Sequence, residues 1–267
     1  ANVVEGVQNI HEFELIPSLN VDFAIISNPT SEHRSVIEKL IPYNIPMFIE
    51  KPLFSELGQE QLVADIIDQD IKTYVACNLR FLHSLKFAKD FIAGKRVNEV
   101  NIYCGSYLPD WRPGADFRKV YSANADMGGG VHIDLIHELD YTHWLFGRPD
   151  KITSVKRNSS SLAITAFDYT NFIFEYPGFT ACIVLNYYRK DSKRACEIVC
   201  EDGTLVVDLL KNTVQWNGEE VFSSPQTIID TYPDQIQFFN DEILSGNSQF
   251  NNVTEAYQIL KACLQAN

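Results

Sequence analysis

The sequence predicts an α/β chain in two parts. A partial doubly wound parallel sheet comes first. An α+β domain with a large, mostly antiparallel open sheet follows. Three observations predict this. Short apolar runs alternate with helical patterns up to about residue 95. From 151 to about 222 the chain turns strand-rich, with turn signals between the runs. The apolar runs of the first part lack alternation, as strands buried on both faces do, whereas TNFIFEY and ACEIVCE in the second part alternate. The boundary between the two parts is drawn at 95/96, giving 1–95 and 96–267.

The elements follow in order. VDFAIIS at 21–27 is a strand broken by Asn28-Pro29-Thr30-Ser31. A helix over about 31–43 carries Val36, Ile37, Leu40 and Ile41 at helical spacing. MFIE at 47–50 is a second strand, ending at Lys51-Pro52. A helix over about 56–69 leads to a third strand, TYVACNL, at 73–79, and a further helix spans 83–94. EVNIYCGSYL at 99–108 is a strand, 109–130 an ordered loop, and 131–146 one helix. Six strands are then expected: ITSVKR, LAITAFDYTNFIFEY, FTACIVLNYY, ACEIVCE, TLVVDLL and NTVQW. A closing helix covers about 253–265.

Composition narrows the function classes. The chain has 267 residues, 45% of them hydrophobic, enough for a substantial core. Its formal charge of −13 argues against a broad basic surface for nucleic acid or anionic membrane, though not against a local phosphate site. Six cysteines form no CxxC pair or zinc pattern and read as buried free thiols, which fits a reducing, cytoplasmic setting. No apolar run approaches the ~18 residues of a membrane span, and no signal peptide is evident.

Five constellations could carry chemistry. Asn28, Pro29, Thr30 and His33 lie where a parallel strand ends and a helix opens, a place that favours anionic ligands; an ordinary helix cap is the alternative. Glu50 and Lys51 end the next strand, with Pro52 fixing the turn; a solvated lysine is the alternative. Asn78 and Arg80 end the third strand, where alternation puts them on one side; a surface ion pair is the alternative for Arg80. Trp111 and Arg112 could clamp a flat ring, or anchor their loop. In GGGVHIDLIHELD, Asp134 and His137 share a helix face three residues apart, as a general base and its carboxylate would. A metal would find two ligands there and no clear third, so none is expected.

Taken together, ISNPTSEH, FIEKP, NLRF and GGGVHIDLIHELDYTHWLFG resemble the Gfo/Idh/MocA family, the relatives of glucose–fructose oxidoreductase and inositol dehydrogenase. The terminal TEAYQILKAC is similar to the family's closing helix. The resemblance implies an NAD(P)-dependent oxidoreductase acting on a sugar, cyclitol or sugar-nucleotide hydroxyl or ketone, with NAD or NADP as cofactor. LPDWRPG resembles members from bacterial surface-sugar pathways. The family likeness implies that Lys51 lies beside substrate and nicotinamide, and that Asp134 and His137 act at the reacting hydroxyl. Many members place the histidine four residues after the aspartate; here it follows by three, which leaves open whether Asp134 tunes His137 or binds substrate. It also implies an incomplete dinucleotide-binding Rossmann domain at 1–95. At 96–267 it implies a substrate-binding and oligomerisation domain, forming a homodimer or homotetramer through the large sheet. Members open with a Gly-rich turn that this sequence lacks before residue 128, so roughly 50 residues of the dinucleotide-binding domain are expected to be missing. A non-catalytic scaffold or sugar-binding subunit is the rival reading. A lyase or hydrolase with tightly held cofactor is a second rival.

Overall fold

The computed structural model describes Gln8 and residues 10–265. After a 3₁₀ segment at Phe13–Leu19 come β1 (Ala24–Ile26), α1 (Thr30–Leu40), β2 (Met47–Glu50), α2 (Glu60–Asp68), β3 (Thr73–Ala76) and α3 (His83–Phe91). The three strands form a parallel sheet with β2 in the centre. Every residue of β3 is buried, because helices and the returning chain cover both faces.

The second part begins with β4 (Val97–Tyr107) and a loop of short 3₁₀ turns. Then follow α4 (Val131–Asp134), α5 (His137–Phe146), β5 (Lys151–Arg157), β6 (Tyr169–Glu175), β7 (Thr180–Asn186), β8 (Tyr188–Cys200), β9 (Gly203–Asp208), β10 (Thr213–Trp216) and β11 (Glu219–Ser223). These eight strands make one sheet in the order β11-β10-β9-β8-β4-β7-β6-β5. Only β4 and β7 run parallel; the other neighbours are antiparallel. α6 (Thr231–Phe238), a π turn at Phe239–Ile243 and α7 (Val253–Gln265) close the described chain.

Alternation gives the large sheet one packed face. Thr170, Phe172 and Phe174 of β6 lie beside Leu185, Ile183 and Ala181 of β7 on the buried face. The opposite face is mixed rather than apolar. Tyr103, Val184, Ile173 and Val206 share it with Asn101, Asn171 and Glu197, all of them half-buried.

The last described forty residues return to the small sheet. Phe239 packs on Phe48 and Phe23 with centroids 5.5 and 5.3 Å away. The Tyr257 hydroxyl accepts from the backbone N–H groups of Gly58 and Gln59. Asn251 bonds Val75 through both its backbone carbonyl and its side-chain amide.

The structure departs from the sequence reading in four places. The third strand stops at Ala76, and Asn78–Phe81 form a 3₁₀ turn, so strand alternation does not govern Asn78 and Arg80. The helix read over 131–146 is broken: Leu135 adopts φ −100°, ψ 31°, and a new helix starts at His137. The strand read from Leu162 begins only at Tyr169. Residues 162–168 alternate in burial, but their backbone serves a loop, with Thr165 and Ala166 both donating to the Ala123 carbonyl and Phe167 accepting from Val131. β11 and α6 were not anticipated.

Two buried ion pairs fix α5 between the parts. Glu138, fully buried, takes a two-point bond from Arg194 of β8 at 2.6 and 3.1 Å. Asp140, also fully buried, takes one from Arg80 at 2.8 and 2.7 Å. Glu255 of α7 adds a third charge beside Arg80 at 3.0 Å.

Candidate active site

β2 ends by delivering Lys51 to the crevice beyond the carboxyl edge of the parallel sheet, where ligands of such sheets bind. The Lys51–Pro52 peptide bond is cis. The Lys51 ammonium donates to the backbone carbonyl of Asp134 at 3.0 Å, across 83 residues of sequence. The end of a strand in the small sheet and the end of α4 thus meet at one point.

The glycines before α4 have distinct duties. Gly128 and Gly130 have φ of +79° and +142°, a region L side chains rarely enter. A Cβ on Gly129 would stand 1.9 Å from the Tyr121 carbonyl oxygen, so this position requires the close approach itself.

The Asp134 carboxylate does not turn to His137. It accepts a hydrogen bond from the Tyr187 hydroxyl, a buried phenol at the end of β7. Burial raises the Asp134 pKa, while Tyr187, Lys51 and Arg112 pull it down. Burial also lifts the Tyr187 phenol well above its ordinary range, helped by the Asp134 charge. Trp111 stands edge-on to the Tyr187 ring, centroids 5.3 Å apart at 89°, and its indole N–H donates to Ser106 at 2.9 Å. The loop residues therefore support the aspartate's partner. Sequence reading missed Tyr187; it lies in an unremarkable NYYRK run, and only the fold brings it to Asp134.

His137 opens α5 beside this group. Its Nδ1 is buried with no hydrogen-bond partner among the described residues. Burial drives its pKa well below the ordinary value, and the charges of Lys51 and Arg194 push the same way. The ring is a neutral imidazole with an uncommitted nitrogen next to a lysine, which is what a proton acceptor requires. Glu50, next to Lys51, is raised by burial and lowered by the lysine.

The first strand end fits a polar ligand. Asn28 Oδ1 is buried and unpartnered among the described residues, just before the amino end of the eleven-residue α1 with Pro29 and Thr30. A donor group of a bound cofactor would satisfy it. His33 has another duty: its two ring nitrogens face the Leu53 and Asn28 carbonyls at 3.2 and 3.1 Å, tying the first strand-end loop to the second.

Two expected cofactor residues are engaged elsewhere. Arg80 is closed in the buried pair with Asp140 and Glu255 rather than in a surface ion pair. Asn78 donates to Thr231 Oγ1 at 2.8 Å and to the Ile228 carbonyl at 3.5 Å, anchoring the segment before α6. The sequence separation of these partners hid both arrangements.

His132 is buried at 6% exposure, with Phe167 edge-on at 5.5 Å. It is packed tightly, so its loss would not be silent for the fold.

Residues 85–206 match the GFO/IDH/MocA C-terminal domain. That match covers a little under half of the chain and marks this region as similar to the family's C-terminal domain. An uncharacterised oxidoreductase of Streptococcus pneumoniae is 25% identical over 150 residues, covering 54% of this chain and 40% of its own length. The scyllo-inositol 2-dehydrogenase (NAD(+)) of Bacillus subtilis is 28% identical over 148 residues, again 54% of this chain and 40% of its own. The matched part thus spans about 40% of these relatives' length. Among solved structures, the UDP-N-acetylglucosamine 3-dehydrogenase of Acidithiobacillus ferrooxidans superposes with a TM-score of 0.77 at 19% identity, covering 97% of this chain and 81% of that one. That likeness establishes the two-sheet fold of the chain.

Proposed function

We propose that the protein is an NAD(P)-dependent oxidoreductase acting on a hydroxyl or ketone of a sugar, cyclitol or sugar nucleotide. The observation that carries this reading is the Lys51–Asp134 contact, which joins the cofactor-side crevice to a neutral, uncommitted His137. The Bacillus subtilis relative, named for NAD-dependent oxidation of an inositol, supports both cofactor and substrate class.

In this reading a substrate hydroxyl sits between His137 and Lys51. The His137 imidazole takes the hydroxyl proton. Lys51 donates to the same oxygen and stabilises the negative charge that grows on it. The Asp134 carbonyl aims the ammonium, and Tyr187 fixes the Asp134 carboxylate so that it holds its place beside the substrate. A bound nicotinamide would supply the hydride-accepting chemistry. In the reductive direction His137 returns the proton. Asn28, Pro29, Thr30, Glu50 and Lys51 would hold the cofactor, with Trp111 and Arg112 closing from the loop. The engaged Arg80, Asn78 and His33 would shape the crevice without touching the ligand.

Titration with NAD(H) and with NADP(H), followed by tryptophan fluorescence, tests the cofactor half; a panel of sugars and cyclitols with absorbance at the reduced nicotinamide band tests the reaction. Saturable binding with turnover on a polyol is expected. Absence of binding to either dinucleotide by a folded chain that includes the Gly-rich opening segment would overturn the reading; without that segment binding should be much weaker.

A further inference from the structure

The candidate site carries one cation to which the proposed reaction gives no task. Arg112 is exposed, and its side chain makes no hydrogen bond or ion pair among the described residues. Its backbone, by contrast, is held on both sides. The Trp111 N–H donates to the Leu108 carbonyl at 3.1 Å, and the Trp111 ring stands against Tyr187. The Ala115 N–H donates to the Arg112 carbonyl, also at 3.1 Å. Pro113 and Gly114 are the central residues of that turn, in the order a type II turn favours, and Gly114 has φ +84°. A pinned backbone under an uncommitted guanidinium is preorganised for a ligand.

The charges that act on Asp134 and His137 share one sign. Burial raises the Asp134 pKa, while the Tyr187 phenol and the cations Lys51 and Arg112 oppose it. Burial lowers that of His137, and the cations Lys51 and Arg194 add to the effect. Arg194 is committed to Glu138, and Lys51 to the Asp134 carbonyl and the proposed reacting oxygen. Arg112 is left over. It bears on both Asp134 and Tyr187, so its guanidinium stands at the mouth of the site. A neutral polyol uses one donor and one base, which Lys51 and His137 supply. It calls for no second cation.

We infer that the substrate is an anionic sugar, bearing a carboxylate or a phosphate on its ring or exocyclic carbon, and that Arg112 grips that group. The inference rests on the proposed reaction, since it names the substrate class of the same site. The guanidinium fork matches the paired oxygens of either group and can hold them by two parallel bonds. An anion held there lets a part of the substrate that does not react keep the reacting hydroxyl against His137. The chain's formal charge of −13 repels an anion at long range, so the site needs its own cation to capture one.

Three ligands that share one ring test this: D-glucuronate, D-glucose 6-phosphate and neutral D-glucose. Each is titrated calorimetrically into the protein, alone and with NAD present. At least one anionic sugar should bind saturably and about tenfold or more tighter than D-glucose, and which one does so tells carboxylate from phosphate. Arg112→Ala should remove about tenfold of that affinity, as loss of a hydrogen bond to a charged group does, and leave the melting temperature unmoved. Arg112→Lys keeps the charge without the fork and should recover only part of it. Equal affinity for the three sugars, a preference that survives Arg112→Ala, or no binding of either anion would each overturn the inference. Binding is read here without turnover, so the two readings fail separately. An anion preference that depends on Arg112, in a protein that oxidises no sugar, would overturn the proposed reaction and leave the anion site. Turnover of D-glucose with a kcat/KM unmoved by Arg112→Ala would overturn the inference and leave the reaction.

Discussion

Glu138 and Asp140 stand two residues apart on α5 and are held by arginines from different parts of the chain, Arg194 of the large sheet and Arg80 beside the small one. Both carboxylates are fully buried. The helix that begins with His137 is thereby clamped on two sides before any packing is counted. Removing one partner strands a buried charge, which costs about 3–5 kcal/mol. Glu138→Gln and Arg80→Met should each lower the unfolding free energy, measured by urea denaturation at neutral pH, by an amount of that order. A loss under about 1 kcal/mol would mean that water reaches the pairs and that they do not set the helix position.

Catalysis should divide the site residues by kinetic signature. His137→Ala is expected to lower turnover by roughly 10²–10⁴-fold with little change in dinucleotide affinity. Lys51→Ala should lower turnover and also disturb cofactor binding, since the lysine follows β2 at the strand-end crevice proposed to hold the cofactor. Tyr187→Phe keeps the ring against Trp111 and removes only the bond to Asp134, so a fall in turnover without loss of stability would assign the effect to the carboxylate's position. Full activity in His137→Ala would disqualify this histidine as the base.

The pH profile of oxidation should be unusual. Burial, then Lys51, then Arg194, hold the His137 pKa well below its ordinary 6.5. The imidazole stays neutral, and able to accept a proton, well into acid. The acid limb of kcat/KM should therefore fall well below the usual histidine range. An acid limb centred at or above 6.5 would point to a different group.

Stability should carry its own acid dependence through His132. Burial, with Lys156 acting in the same direction, pushes this ring down from 6.5 to about 3. The unfolded chain takes up its proton near the ordinary value while the folded chain does not. The unfolded state then binds more protons between the two values. The stability that comes from keeping the ring neutral is complete above about 6.5 and is lost as pH falls from there toward 3. His132→Asn should flatten the stability curve in that window at some cost in packing. An unchanged slope would show that His132 is protonated in the folded protein.

Assembly is open to a direct measurement. The uncovered face of the large sheet is mixed, with Val184 and Tyr103 side by side at its centre. We expect a dimer or tetramer by sedimentation at micromolar concentration, and Val184→Lys should shift it toward monomer. A monomer in the unsubstituted protein would refute this.

The sequence carried the periodic parts of the fold well and the long-range parts poorly. β2, β3, β5 and the alternating cores of β6 to β9 follow from apolar spacing that burial then enforces. Residues 162–168 alternate just as well and are not a strand, because their hydrogen bonds go to a loop. Alternation reports burial, not pairing. At the candidate site, the Lys51–Asp134 contact joins a strand-end motif and a Gly-rich motif that local sequence singled out, whereas the helix face read as shared by Asp134 and His137 is broken at Leu135. Tyr187 and the Asp140 clamp on Arg80 were not legible, since each depends on a partner more than fifty residues away.

The return of α6 and α7 to the small sheet bears on how the molecule is made. Tyr74 of β3 bonds Gln235 of α6 from 161 residues away, and Phe48 needs Phe239. At ribosomal speeds that separation is on the order of ten seconds of synthesis. The first sheet to leave the ribosome is among the last to be covered. During that interval Phe48, Tyr74 and Phe81 are open to chaperones and to neighbouring nascent chains.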